Sequence, residues 1–211
     1  MTNRAQLERG LLCDELLERG PDAATLCGSW TTRDLAAHLV LRERRPDAAA
    51  GIVLHQAALA RYTEKVRLRI AASPWPDLVD AVRTGPPCWS PTRIGAIDEL
   101  TNTVEFFVHH EDVRRAQPGW TARALEAGFE AALAKALGRM KLLLRGAPVG
   151  VRLCTPDGTA LVARSGADTV TVTGRPSELV LFAFGRQAVA EVELRGAASA
   201  VQSLKDATLG I

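Results

Sequence analysis

Cysteine and histidine are scarce in this chain, four of each among 211 residues, and the cysteines form no pattern. Cys13, Cys27, Cys88 and Cys154 are scattered, with no Cys-x-x-Cys pair. That argues against a thiolate zinc site and against a disulfide framework, and the expectation is free thiols in a reducing compartment. Long apolar runs are missing too. Leu179 to Phe184 is among the longest, far short of the ~20 residues that span a bilayer. Neither sign of charge is in excess: 26 Lys plus Arg face 24 Asp plus Glu, a formal net charge of +2. This excludes the strongly basic composition of a usual nucleic-acid binder. Met1 to Glu15 mixes Arg4, Glu8, Arg9, Asp14 and Glu15 with leucines, which does not read as a signal peptide. A cytoplasmic protein with no membrane and no nucleic-acid partner is expected. No Gly-rich loop follows a strand and opens a helix, and no nucleophile elbow is recognisable, so nucleotide and Ser-His-Asp sites lack support.

What is present divides the chain. The apolar fraction of 47% and charged fraction of 24% are those of a globular protein. Up to about Gly146, Ala, Leu, Arg and Glu dominate at helical spacing. Helices are predicted over Asn3–Glu18, Thr32–Arg45, Pro46–Ala72, a short stretch after Pro76, Ile94–Ala116 and Thr121–Arg145. Gly20-Pro21 stops the first, and Thr31-Thr32-Arg33-Asp34 caps the second. After Gly146, β-branched runs alternate with turn sequences such as Thr155-Pro156-Asp157-Gly158. The order reads β-β-β-α-β-α, with the three adjacent strands expected to form an antiparallel sheet. The expected class is α+β: a helical bundle over 1–146 and a small α+β domain over 147–211.

The informative stretch is Glu105-Phe106-Phe107-Val108-His109-His110-Glu111-Asp112-Val113-Arg114-Arg115. Residues four apart on a helix point within about 40° of one another, so Glu105 and His109 share a face, flanked by Ile97, Val104 and Val108. His110 lies about 140° from Glu105 and cannot chelate the same ion. His38, mid-helix in Asp34-Leu35-Ala36-Ala37-His38-Leu39, is the obvious third ligand. Two imidazoles and a carboxylate suit zinc, with nickel or iron as replacements, and three ligands leave positions open for catalysis. The alternative is an ordinary Glu105–His109 helix ion pair beside a satisfied core His38.

Other candidates are weaker. His55, on the stripe Ile52, Leu59, Tyr62 and Val66, reads as structural. His110, Glu111, Arg114 and Arg115 read as a solvated face or an ion-pair cluster. Gly185-Arg186 suits either a helix cap or a substrate carboxylate. Trp30 and Trp89 are candidate pocket walls, or plain core.

Trp30 to Leu39 and Glu105 to Ala116 together resemble the metal-binding helical domain of mycothiol-dependent maleylpyruvate isomerases and their DinB-like relatives. The element order of the second part, with Phe182-Ala183-Phe184-Gly185-Arg186, is similar to the short sterol-carrier-like domain of that family. The resemblance implies a DinB-like four-helix bundle with ligands at His38, Glu105 and His109, a divalent metal, and mycothiol as thiol cofactor. It implies a metal-dependent enzyme in which a small-molecule thiol meets an electrophilic substrate, by S-transfer or cis–trans isomerisation. The competing reading is a non-catalytic, metal-stabilised module that binds an apolar ligand or a protein partner. Neither substrate nor oligomeric state is encoded in these motifs.

Overall fold

Asn3 starts helix α1 (Arg4–Arg19) by accepting the Gln6 amide on its side-chain oxygen at 3.2 Å. Gly20 ends it at φ 78°, a left-handed value that glycine adopts without strain. The structure, a computed structural model, describes residues 3–53, 56–87, 95–138 and 141–210, except for the side chains of 50–53 and 95–101. His55, Cys88 and Trp89 lie outside the described residues, as does the side chain of Ile97.

Helix α2 (Thr32–Arg44) begins where the capping box predicts. Asp34 Oδ2 accepts from the Thr31 amide at 3.0 Å and from the Thr31 hydroxyl at 3.1 Å. Next come α3 (Pro46–Val53), α4 (Ala57–Ala71), α5 (Trp75–Thr84) and α6 (Gly95–Arg114). The single helix expected over Pro46–Ala72 is therefore two, packed on each other, with the Thr63 hydroxyl donating to the Ala48 carbonyl at 2.6 Å. Apolar periodicity continues through both helices and does not register the break. The extended backbone of Gln56, at φ −83° and ψ 126°, does.

Leu12 and Leu16 of α1, Leu35 and Leu39 of α2, Leu78 and Val82 of α5, and Phe106 and Val113 of α6 share one core. Each such side chain contributes about 1.5–3 kcal/mol through burial. A bidentate pair also crosses this core. Arg9 of α1 donates to Glu43 of α2 at 2.7 and 2.6 Å, with its guanidinium 4.3 Å from the centroid of Phe106.

The chain divides into two compact units, Met1–Trp120 and Thr121–Ile211, upstream of the composition shift at Gly146. The reason is helix α7 (Ala127–Leu137), which packs on α8 (Pro176–Ala183) and on strand β2 (Ala160–Arg164). Glu130 of α7 accepts from the amide and the hydroxyl of Ser177 at 2.9 and 2.8 Å. The helix predicted over Thr121–Arg145 is thus shorter, and a 3-10 turn at Lys141–Leu144 follows it.

The remaining elements are β1 (Val151–Cys154), β3 (Val170–Thr173), β4 (Glu193–Arg195) and α9 (Ala198–Lys205). The sheet order is β2-β1-β3-β4, and the wholly antiparallel arrangement expected from the sequence is corrected. Strand β1 pairs antiparallel with β2 but parallel with β3. The segment after β2 crosses the start of β1 instead of turning back beside β2. Two glycines permit the crossing: a Cβ on Gly150 would meet the Gly166 carbonyl at 2.9 Å, and one on Gly166 would meet the Gly150 nitrogen at 2.5 Å. The architecture is nonetheless α+β, as the element pattern predicts. Among the described residues no helix is long and apolar enough to cross a membrane.

Candidate metal centre

Helix α6 is held along α1 by Phe106 and Val113, which belong to the core, and Phe107 and Val108 are buried beside them. That orientation turns Glu105 and His109 toward α2, where His38 follows the buried Leu35, Ala36 and Ala37. The three side chains expected to form a site come together. His109 Nε2 is 3.3 Å from Glu105 Oε1, and His38 Nε2 is 3.7 Å from the same oxygen. The two imidazole rings meet edge to face with centroids 5.5 Å apart. All three donor atoms lie within 4.8 Å of one another. Ligands about 2.0–2.1 Å from a tetrahedral zinc ion stand roughly 3.4 Å apart, and the 3.3 and 3.7 Å separations from Glu105 Oε1 are close to that spacing.

The electrostatics are those of a coupled cluster. Burial opposes ionisation of Glu105, but its close contacts with His109 and His38 and the charge of Arg42 outweigh it. Its carboxyl is held well below the usual range. Burial likewise opposes a charge on His109, yet Asp112, Cys27 and Glu105 more than offset it and raise its pKa well above the ordinary value. His38 moves the other way, lowered chiefly by burial despite its contact with Glu105. Without an ion, the favoured state is therefore a carboxylate between one charged and one neutral imidazole. An ion taking the three donors would have to displace a proton from His109, and its uptake would weaken as pH falls.

Residues that spacing did not single out complete the surroundings. Arg42, one turn beyond His38, places Nε 3.3 Å from Glu105 Oε1 and donates to Asn102 Oδ1 at 2.6 Å. Trp30, a candidate pocket wall or core residue from the sequence, stands against His38 with ring centroids 5.3 Å apart. On the far side of His109, Asp112 Oδ2 lies 3.0 Å from Nδ1, and the Cys27 thiol donates to the same oxygen at 3.1 Å. Asp112 was legible in principle, being three residues beyond His109 on one helix. Cys27 was not, since it arrives from a loop.

His110 points away, as its helical angle requires. Its Nδ1 meets Glu8 Oε1 of α1 at 2.8 Å. Of the two readings for its neighbours, the ion-pair cluster is the one found, and it is buried rather than solvated. Glu111 and Arg115 pair at 2.5 Å with side chains about 1% exposed. Arg186 caps its helix by donating to the Phe184 carbonyl at 2.6 Å, beside Gly185 at φ 84°.

Comparison with known proteins agrees with this arrangement at the level of fold. No family model and no curated protein matches the sequence. Two solved structures match over 90% of this chain and 90% of their own. One is a histidine-to-alanine variant of the mycothiol-dependent maleylpyruvate isomerase, at a TM-score of 0.61 and 16% identity. This chain shares that fold. A second structure, of mycothiol-dependent maleylpyruvate isomerase, matches with a TM-score of 0.51 and 21% identity.

Proposed function

We propose that this protein binds one divalent ion, zinc in the first instance, through His38, Glu105 and His109, and is an enzyme that uses a low-molecular-weight thiol. The observation that carries the reading is the donor set: two imidazole nitrogens at 3.3 and 3.7 Å from one carboxylate oxygen, from two helices. Three protein ligands leave coordination positions for small molecules, as catalytic rather than structural zinc sites do. A zinc ion held there supplies Lewis acidity, favouring thiolate over thiol at neutral pH. The chain's own residues provide the setting. Arg42 steadies the Glu105 carboxylate, and Trp30 covers one side of the His38 ring.

Mycothiol is proposed as the thiol because the solved structures of like fold are named mycothiol-dependent. Its partner would be an electrophilic small molecule, undergoing S-transfer or reversible addition with cis–trans isomerisation. The test has two stages. Elemental analysis of protein purified without chelator should find close to one zinc, nickel or iron per chain, and His109→Ala should lose it. Titrating mycothiol into the cobalt-substituted protein should then raise a near-ultraviolet thiolate-to-cobalt band. No metal and no uptake would refute the site. A filled cobalt site with no such band would refute the thiol chemistry and favour a non-catalytic metal-stabilised module.

A further inference from the structure

Asp112 is entirely buried, with a side chain 0% exposed, at a point where an unsatisfied carboxylate would be costly. Its Oδ2 faces groups from two elements. His109 Nδ1 lies at 3.0 Å, and the Cys27 thiol at 3.1 Å. Its backbone carbonyl accepts from the Leu26 amide at 3.0 Å, tying the same turn of α6 to the loop that carries Cys27. That loop is itself fixed. Thr25 Oγ1 accepts from the Cys27 amide at 3.2 Å and donates to the Trp30 carbonyl at 2.8 Å, and Ala24 and Thr31 form a β-bridge across its base.

We propose that Asp112 is the positioning residue of the metal centre, holding His109 Nδ1–H so that Nε2 faces the ion, with the Cys27 thiol locking the Asp112 carboxylate in place. The inference rests on the metal reading above and adds a role for two residues outside the three ligands. An imidazole whose Nδ1–H is donated to a carboxylate presents its lone pair at Nε2 and cannot rotate about its Cβ–Cγ bond without losing that hydrogen bond. Glu105 Oε1, another of the proposed ligand atoms, lies 3.3 Å from that Nε2. Trp30, from the Cys27 loop, lies against His38, so one short loop braces both imidazoles, one through Asp112 and one directly. Cys27, His109 and Asp112 also have donor atoms near enough to form a second ligand set. Their separations of 3.0 and 3.1 Å from Asp112 Oδ2 are hydrogen-bond lengths, and we assign them as hydrogen bonds.

The experiment compares full-length wild type, Asp112→Asn, Cys27→Ala and Cys27→Ser. Zinc affinity is read by competition with a chromophoric chelator, the melting temperature is read without metal, and nitrogen-edited NMR of the zinc protein reports the His109 tautomer. Wild type should show a slowly exchanging proton on His109 Nδ1. Asp112→Asn should weaken zinc binding by about 10–100-fold and lose or shift that proton. Cys27→Ala should weaken binding by less than Asp112→Asn, and Cys27→Ser should restore it. Affinity within threefold of wild type in a folded Asp112→Asn protein overturns the assignment while leaving the three-ligand reading intact. If Asp112→Asn does not fold, the wild-type spectrum decides: a His109 proton on Nε2 overturns it. Two zinc ions per wild-type chain, falling to one in Cys27→Ala, would make Cys27 and Asp112 ligands and overturn it too. Wild type that takes up no zinc removes both this role and the metal reading.

Discussion

His110 Nδ1 lies 2.8 Å from Glu8 Oε1, in the contact between α6 and α1, while the adjacent His109 reaches the opposite way to Glu105. Two neighbouring histidines thus serve two environments. His109→Ala should abolish stoichiometric metal binding. His110→Ala should keep it but destabilise the fold by about 2 kcal/mol, because a buried hydrogen bond to a carboxylate is removed. Metal content and urea unfolding of the metal-free variants separate the two effects. Equal metal loss in both would mean that the helix is misassigned in register.

The Arg9–Glu43 pair has side chains 2% and 3% exposed. Removing either partner leaves a buried charge facing a poorer environment, so Glu43→Leu or Arg9→Met alone should cost about 3–5 kcal/mol. The double substitution Arg9→Met with Glu43→Leu should cost less than the sum of the single changes. A double-mutant cycle by denaturant unfolding checks this, and strict additivity would show that the two groups act independently.

Cys13 is fully buried on α1 and its thiol donates to the Val79 carbonyl at 3.9 Å. Burial pushes this thiol up to about 12. Native protein at pH 8 should therefore resist alkylation at Cys13, with modification appearing only on unfolding, as peptide mass mapping would show. The stability that the protonated thiol contributes is whole below an unfolded thiol's ~8.5 and is lost as pH rises toward the folded value. Alkaline unfolding of Cys13→Ala should accordingly show a shallower pH slope than wild type.

All three proposed ligands precede Trp120, where the first compact unit ends. A fragment of residues 1–120 should fold as a helical bundle and take up one metal ion, by circular dichroism and elemental analysis. A cut at Gly146 instead leaves α7 without α8 and β2, against which it packs. That longer fragment should carry an exposed apolar helix and aggregate more readily. A folded 1–120 fragment that binds no metal would call for a ligand from residues 121–211.

Local geometry accounts for what the amino-acid order disclosed. Residues on one helix keep their angular relation whatever surrounds them, so the shared face of Glu105 and His109 and the divergence of His110 followed from spacing. The Thr31–Asp34 cap is equally local, and it forms. Joining His38 to Glu105 required two helices far apart in sequence to meet, which spacing does not encode; family resemblance pointed there, and packing of the bundle brings the donors to 3.7 Å. Cys27 reached His109 only because a bridged loop folds back over α6. The parallel pairing of β1 with β3 was likewise hidden, since turn residues between strands say that the chain reverses but not on which side of β1 it returns. That choice rests on the close passage of Gly150 and Gly166, a contact that exists only once the strands are assembled.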